Sequence, residues 1–246
     1  MLPRSSTLFH FTKSMDVLFS ILNYGFWPRY CFEDVQWQGF KDHDFIAYPM
    51  VCFCDIPLGR IAEHVDFYGS FGIGLTKEWG ARNNLNPVSY YTGNNQLHQA
   101  FQSLITIAVD LPDEEKKSQA VKNLRYLLAY SKPTIGRIIV NGTPVPKEFY
   151  QESEWRYIPQ HENVPEYLLF NNYGATDVLD HHNALASQHA RLTFYPSDVR
   201  YLFVPTDADI PPIMNYITSE LDRHPSSDLK VLMSRVTSLE SVTRDL

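Results

Sequence analysis

Residues 149–159 constrain the fold more than any other stretch, because residues typical of a β-strand alternate there with charged ones. Side chains alternate between the two faces of a strand, so Glu152, Glu154 and Arg156 are expected to share one face. Neighbouring carboxylates raise one another's pKa, and a guanidinium beside them lowers it. Taken alone, the stretch predicts an exposed, salt-bridged polar face above a core lined by Trp155.

Composition narrows the class of protein. A chain of 246 residues with 44% hydrophobic and 14% aromatic residues is long enough for a sizeable core and favours a β-containing fold with a lined cleft. A formal net charge of -7 provides no general attraction to a phosphate backbone. Three cysteines indicate no disulfide framework, and no apolar run approaches the ~18 residues of a membrane span. We therefore expect a cytoplasmic protein without a membrane segment.

Helix and strand signals alternate along the chain without a repeat or a long linker. A strand at residues 7–13 is followed by a helix that Ser14 caps and Gly25 ends. Residues 26–48 show no periodicity and predict a long active-site or binding loop. Further predicted strands lie at residues 49–58, 68–77, 86–91, 136–142, 192–194, 199–204 and 229–233, and helices at 61–67, 95–110, 113–130 and 210–221. This order predicts a single α+β domain over residues 1–246.

Several short motifs are weak evidence for a metal site or a phosphate-binding loop. Cys52 and Cys54 form a C-x-C pair without a second pair of ligands at metal-binding spacing, so no metal site is expected. His181 and His189 are assigned to the surface. The glycine-rich residues 68–77 lack the Lys-Ser/Thr ending of a phosphate loop. They predict instead a strand whose glycines let another backbone or a flat ligand approach closely.

The chain carries a series of short motifs at residues 9–12, 21–25, 51–58, 68–75, 86–88 and 149–157. Taken in order, these motifs resemble the bacterial abortive phage infection family called AbiGi. The resemblance covers most of the chain. The opening His-x-Thr strand, with a helix ending in Ile-Leu-x-x-Gly, is more distantly similar to the start of DarT-type ADP-ribosyltransferases.

That second resemblance implies a site for NAD and an ADP-ribosyltransferase-like split β-sheet core with flanking helices. In such enzymes a first-strand residue holds the NAD ribose, and an aromatic residue on a second strand stacks on nicotinamide. A late-strand glutamate drives the reaction. The likeness implies that His10 and Thr12 hold the ribose and that Tyr68 or Phe71 stacks on nicotinamide. It implies that Glu154 is the late-strand glutamate.

The implied chemistry suits two carboxylates. Cleavage of the nicotinamide glycosidic bond passes through an oxocarbenium-like state, and a carboxylate on the ribose 2-hydroxyl stabilises the developing charge. Glu154 is expected to do this, while Glu152 orients or deprotonates the acceptor. Arg60, Arg137 or Arg156 is expected to bind the pyrophosphate, and Arg29 stays open as an alternative.

The leading hypothesis is therefore an NAD-dependent ADP-ribosyltransferase toxin of phage defence. It would transfer ADP-ribose to a macromolecule, with nucleic acid favoured over protein, and would have a cognate antitoxin. The alternative is a non-catalytic antitoxin or sensor that retains the fold and binds a partner protein. A nuclease that uses Asp55, Glu152 and Glu154 is a third hypothesis, disfavoured because no spaced acidic triad is visible.

Overall fold

The structure is a computed structural model that describes residues 5–38, 43–93, 95–169 and 176–244. Its helices are α1 (Met15–Tyr24), α2 (Ile61–Tyr68), α3 (Lys77–Arg82), α4 (Gln96–Val109), α5 (Glu114–Ala129), α6 (Thr176–His189), α7 (Ile210–Glu220), α8 (Ser226–Met233) and α9 (Leu239–Arg244). Its strands are β1 (Thr7–Thr12), β2 (Arg29–Asp34), β3 (Phe45–Cys54), β4 (Phe71–Thr76), β5 (Asn86–Pro87), β6 (Ser89–Tyr91), β7 (Ser131–Pro133), β8 (Ile135–Val140), β9 (Thr143–Glu148), β10 (Glu154–Tyr157), β11 (Leu168–Leu169), β12 (Val199–Val204) and β13 (Val236–Ser238). The predicted α+β class is confirmed.

The chain divides into two compact units. The first comprises Met1–Trp27, Cys52–Leu85 and Arg191–Leu246, and the second comprises Pro28–Val51 and Asn86–Ala190. Strand β3 therefore gives its last three residues to the first unit and the rest to the second. The assignment of the whole chain to a single domain stays a prediction.

In the first unit, local signals set the start and end of helix α1. The Ser14 hydroxyl accepts a hydrogen bond from the Val17 amide, and Gly25 ends the helix at a φ of 79°. Leu18, Ile21 and Leu22 form its buried face. The cap, the apolar spacing and the terminal glycine all agree, which confirms the prediction for this helix.

The sheet of the first unit has the strand order β13-β12-β4-β1, in which β12 and β13 run parallel and the other neighbours run antiparallel. One apolar cluster of this unit lies on the Phe9 and Phe11 side of β1 and includes Ile61 of α2 and Phe203 of β12. His10 points to the other side of β1.

The glycines of β4 serve this packing. A Cβ atom on Gly72 would lie 2.7 Å from the Phe11 ring, and one on Gly74 would lie 2.9 Å from the Phe9 ring. The rings of the two phenylalanines occupy the space that these glycines leave. The prediction that this space admits a flat ligand or another backbone is therefore wrong.

Gly69, which ends helix α2, provides a prediction about stability. Its φ of 117° is open mainly to glycine, and a Cβ atom there would collide with the carbonyl oxygen of Thr12. We expect Gly69→Ala to lower the free energy of unfolding by about 1–3 kcal/mol. Urea unfolding measures it. Gly59→Ala is the control, because a Cβ atom on Gly59 has no neighbour within 4 Å; similar losses in both variants would contradict the prediction.

The second unit is built around β3 and two short sheets. Strands β2 and β11 pair antiparallel with β3, β5 pairs antiparallel with β10, and β8 and β9 form a hairpin. Strands β6 and β7 run parallel. Helix α6 packs on β2, where the Asn183 side-chain oxygen accepts a hydrogen bond from the Tyr30 amide at 2.9 Å. An apolar cluster of the second unit includes Tyr30, Ala47 and Ala186.

The prediction of a loop over residues 26–48 is wrong for much of that range. Strand β2 pairs six residues with β3, from Arg29 opposite Met50 to Asp34 opposite Phe45, and a short 3-10 turn follows at Gln36–Gln38. The strand carries aromatic residues at alternate positions, Tyr30 and Phe32, which is the periodicity of a strand. Residues 39–42 lie outside the described residues.

The prediction of a last strand at residues 229–233 is also wrong. These residues form the end of helix α8, whose buried Leu229 and Leu232 are three residues apart on one helical face. The short apolar run is compatible with either structure, and burial of Leu229 and Leu232 on one helical face accompanies the helix.

Candidate functional site: a buried ion-pair cluster

The predicted strand at residues 149–159 begins five residues later than expected. Tyr150–Glu152 form a 3-10 turn, and Ser153 adopts a left-handed backbone conformation with a φ of 44° before β10 starts at Glu154. Glu152 therefore does not belong to the strand. Its side chain still lies beside Glu154, because both carboxylates bind the same lysine.

The charged residues of this segment are buried. Glu152 and Glu154 are each 6% exposed and Arg156 is fully buried, whereas Trp155 is half-buried. The interpretation as an exposed polar face over a tryptophan-lined core is therefore wrong. The side of β10 that carries the charges faces the interior, where they find partners on other elements.

Lys132 of β7 joins the two acids. Its Nζ donates hydrogen bonds to Glu154 Oε2 at 2.8 Å and to Glu152 Oε2 at 3.1 Å. Lys147 of β9 forms an ion pair with Glu152 Oε1 at 2.6 Å. The ammonium of Lys132 also lies 4.1 Å from the centre of the Phe149 ring, a cation–π contact. Strands β7, β9 and β10 thus meet at one charged core.

Arg156 forms the other half of the cluster. Its Nε donates to Glu154 Oε1 at 2.7 Å, and its Nη2 donates to Glu154 Oε2 at 3.2 Å and to Glu33 Oε2 at 2.8 Å. Its Nη1 donates to the Ala129 carbonyl oxygen at 2.6 Å. A fully buried guanidinium is thereby tied to strand β2 and to the end of helix α5.

The charges balance. Among the described residues, these contacts join three acids, Glu33, Glu152 and Glu154, to three bases, Lys132, Lys147 and Arg156. Burial opposes the charge of Lys132, but Glu154, Glu33 and Glu152 together outweigh it and raise its pKa. Burial likewise disfavours the Glu152 carboxylate, yet Lys132 and Lys147 hold its pKa below the usual value. Lys132 and Glu152 are therefore both ionised at neutral pH.

The lowered pKa of Glu152 predicts how stability depends on pH. A depressed folded-state pKa stabilises the protein above the unfolded value of 4.5, and that contribution is lost as pH falls through the folded-state pKa. We expect the free energy of unfolding to fall on acidification below about pH 5. Urea unfolding at several pH values gives the dependence of the unfolding free energy on pH. This dependence should be weaker in Glu152→Gln than in the wild type, and an equal dependence in both proteins would contradict the prediction.

In the first unit, the residues implied to bind NAD divide between the two faces of the sheet. Thr12 lies opposite Phe71 in the β1–β4 pairing, and directly opposed residues share a face. His10, two residues before Thr12, shares that face, whereas Tyr68 packs with Phe9 and Phe11 on the other. The structure thus brings His10, Thr12 and Phe71 to one face and Tyr68 to the opposite one. Tyr68 belongs to helix α2 and not to a strand.

His10 is held by the protein itself. Its Nδ1 lies 2.8 Å from the Cys52 carbonyl oxygen, and its ring packs edge-on against Phe26 at 5.1 Å and tilted against Phe53 at 5.6 Å. Burial lowers the pKa of His10. The ring is therefore neutral at neutral pH and donates from Nδ1, which leaves Nε2 as the acceptor.

The arginines implied to bind pyrophosphate differ in accessibility. Arg60 is exposed at the start of α2, Arg137 is bound by both carboxylate oxygens of Asp34, and Arg156 lies inside the cluster. Arg60 is therefore the most accessible of the three. Burial of Arg156 does not suit it for a pyrophosphate that enters from solvent.

Sequence reasoning missed Lys132, Lys147 and Glu33 as members of the cluster. Lys132 lies just beyond the helix predicted over residues 113–130, and its burial in strand β7, which implies a paired charge, is visible only in the structure. Within the described residues there is no group of three or more His, Cys, Asp or Glu side chains able to hold a metal ion. The same part of the chain contains no helix long and apolar enough to cross a membrane.

Comparison with known proteins decides the family. A family model whose description includes the words "abortive phage resistance protein AbiGi, antitoxin" matches residues 25–205. The chain belongs to the AbiGi family. A relative from Lactococcus lactis subsp. cremoris, named abortive phage resistance protein AbiGi, is 26% identical over 248 residues, which is 89% of this chain and 99% of the relative. No solved structure matches, so the transferase-like arrangement of the sheet stays a prediction.

The residues that match the AbiGi family model include the ion-pair cluster but not all of the residues implied to bind NAD. Residues 25–205 include the whole ion-pair cluster and helix α4, whereas His10 and Thr12 precede them. The resemblance to AbiGi proposed from the sequence motifs is confirmed. The residues implied by the more distant resemblance stay predictions.

Proposed function

We propose that this AbiGi protein acts in abortive phage resistance as an antitoxin that binds a partner protein through helix α4. The family description supports an antitoxin. The placement of Glu152 and Glu154 agrees with this role, because both oxygens of each carboxylate already accept contacts from buried or half-buried cations. The acids would then stabilise the scaffold that presents α4.

The observation that carries the proposal is an apolar stripe on α4. Leu97, Leu104 and Ile107 are 59%, 53% and 58% exposed in the described structure. Their spacing of seven and three residues places them on one side of the helix. Ala108, one turn after Leu104, and His98 are buried, so the protein covers one edge of the stripe. An amphipathic helix whose apolar face is only partly covered by its own protein suits a groove on a partner.

Site-specific photo-crosslinking tests this proposal. A photoreactive amino acid placed at Leu104 is expected to form an adduct with one protein in phage-infected cells, and wild-type protein in excess should compete for it. The competitor Leu104→Asp should fail, because a charge on the stripe would have to be desolvated in the interface.

Thr106 provides the matched control on the same helix, because it is exposed and lies two residues after Leu104, on the opposite side of the helix. The photoreactive residue at Thr106 should give no such adduct, and Thr106→Asp should compete as well as wild-type protein does. Equal adducts from both positions, or equal competition by both aspartate variants, would contradict the proposal.

A second candidate function is the NAD-dependent ADP-ribosyltransferase implied by the DarT-type resemblance. The position of His10, Thr12 and Phe71 on one face of the β1–β4 pair favours it. In that case NAD is the substrate, and RNA, DNA or protein is the acceptor. Release of nicotinamide from labelled NAD by the purified chain, lost on His10→Ala in a protein that stays folded, would support this function over the antitoxin.

A further inference from the structure

The apolar stripe on helix α4 repeats with the spacing of a coiled-coil seam. Its exposed members are Leu97, Ala100, Leu104 and Ile107, which follow one another at intervals of three, four and three residues. This spacing is that of the a and d positions of a heptad repeat, along which two helices pack side by side. The stripe therefore has the geometry to pack along its length against another apolar helix.

The composition of helix α4 allows an identical helix to approach it. Residues 96–109 include no aspartate, glutamate, lysine or arginine, although the chain has 28 acidic and 21 basic residues. The exposed positions that flank the stripe on its open side, Gln96 and Ser103, are also neutral. Like charges that face each other across an interface oppose association. Two copies of this helix meet along the stripe without such repulsion.

The two ends of helix α4 are complementary to each other. The C-terminal end is acidic, because Asp110 caps the helix and Asp113 caps the next one, and both residues are exposed. The N-terminal end carries the positive partial charge of the helix dipole, and residues 92–96 contain no charged side chain. In an antiparallel pair, each acidic end lies beside the positive end of the other helix. In a parallel pair, the acidic ends would meet and repel each other.

An antiparallel pair also matches the sizes of the side chains along the stripe. The midpoint of the stripe lies between Ala100 and Leu104, so a twofold axis there places Ala100 of one copy opposite Leu104 of the other. Leu97 then lies opposite Ile107. The small side chain of Ala100 leaves room for Leu104. The stripe is thus complementary to itself, as the interface of a symmetric dimer requires.

We propose that two copies of this chain form an antiparallel dimer through the apolar stripe of helix α4. The contact uses one face of a 14-residue helix from each copy, which suits a weak and reversible dimer. The dimer regulates access to the stripe, because a partner protein that binds the same residues must displace the second copy. This consequence rests on the proposed function, whereas the dimer itself does not.

Sedimentation velocity of the purified full chain tests the dimer. At physiological ionic strength, we expect the chain to pass from monomer to dimer between about 2 and about 200 µM. Leu104→Asp should stay monomeric, because the dimer would bury its charge at the seam. Thr106→Asp, on the opposite side of the helix, should dimerise as the wild type does. A wild-type chain that stays monomeric at the highest concentration, or a folded Leu104→Asp variant that dimerises equally well, would overturn the proposal.

Disulfide formation tests the antiparallel arrangement. Leu97→Cys and Ile107→Cys are mixed under mild oxidation, and peptide mass spectrometry separates the new bonds from any made by the three native cysteines. A disulfide forms only between close Cβ atoms. We therefore expect bonds between position 97 of one copy and position 107 of the other to exceed the 97–97 and 107–107 bonds. A predominance of 97–97 and 107–107 bonds would show a parallel pair and would refute the proposed arrangement.

The dimer and the proposed antitoxin function fail in different ways. If the purified chain stays monomeric while the photoreactive residue at Leu104 captures another protein in infected cells, the dimer alone is refuted. If the purified chain dimerises while the adducts in cells contain only two copies of this chain, the dimer stands and the partner protein is refuted.

Discussion

Replacement of Glu154 by alanine is expected to lower the free energy of unfolding by about 3–5 kcal/mol. The carboxylate accepts hydrogen bonds from Lys132 Nζ at 2.8 Å and from Arg156 Nε at 2.7 Å, and both cations are buried. Without Glu154 the cluster carries an uncompensated positive charge away from water. Urea unfolding, followed by circular dichroism and tryptophan fluorescence, measures the loss.

Glu162→Ala is the matched control for this variant, because Glu162 is an exposed acid of the same unit. It is expected to stay within about 0.5 kcal/mol of the wild-type protein. Equal stabilities of Glu154→Ala and wild type would contradict the structural role of the cluster. A biological activity that is lost in Glu154→Ala therefore does not identify a catalytic residue unless the variant is shown to be folded.

The second large effect concerns Lys132. Lys132→Met is expected to cost about 3–5 kcal/mol, because it leaves the carboxylates of Glu152 and Glu154 with an excess negative charge in the interior. Combining it with Glu154→Gln restores the balance. The ion pairs that remain are Lys147 with Glu152 at 2.6 Å and Arg156 with Glu33 at 2.8 Å. The methionine packs on the Phe149 ring that Lys132 contacts.

A double-mutant cycle measures this compensation. The loss in Lys132→Met/Glu154→Gln should be smaller than the sum of the two single losses by about 0.5–3 kcal/mol. Urea unfolding of the wild type, both single variants and the double variant gives the coupling energy. Strictly additive losses would mean that Lys132 and Glu154 do not stabilise one another.

Elements with strong local signals were predictable from the sequence. Helix α1 has a capping serine, buried residues at helical spacing and a terminal glycine, and the structure places it where these signals do. Strand β2 was missed because its alternating pattern lies in a run crowded with aromatic residues, and because pairing with β3 fixes it. In helix α8 the short apolar run fits two periodicities, and the neighbouring elements decide between them.

The candidate site was predictable in its acids but not in its environment. Glu152, Glu154 and Arg156 attract attention within the sequence of one segment. Their partners come from afar, since Lys132 lies 20 and 22 residues from the two acids and Glu33 lies 123 residues from Arg156. The fold alone brings these residues together. A strand with charged alternate positions was therefore assigned to the surface, although it lies in the interior.

The most direct test of the account is phage resistance in bacterial cells whose resistance depends on this AbiGi protein, with Lys132→Met/Glu154→Gln in place of the wild type. The double variant lacks the Glu154 carboxylate but is expected to fold, as circular dichroism and its unfolding transition will show. If Glu154 only stabilises the scaffold, cells with the folded variant keep resistance and grow normally without phage, whereas Leu104→Asp leaves the partner protein uninhibited and slows the growth of uninfected cells. Complete loss of resistance in a folded double variant would contradict the account and would favour a catalytic role for Glu154.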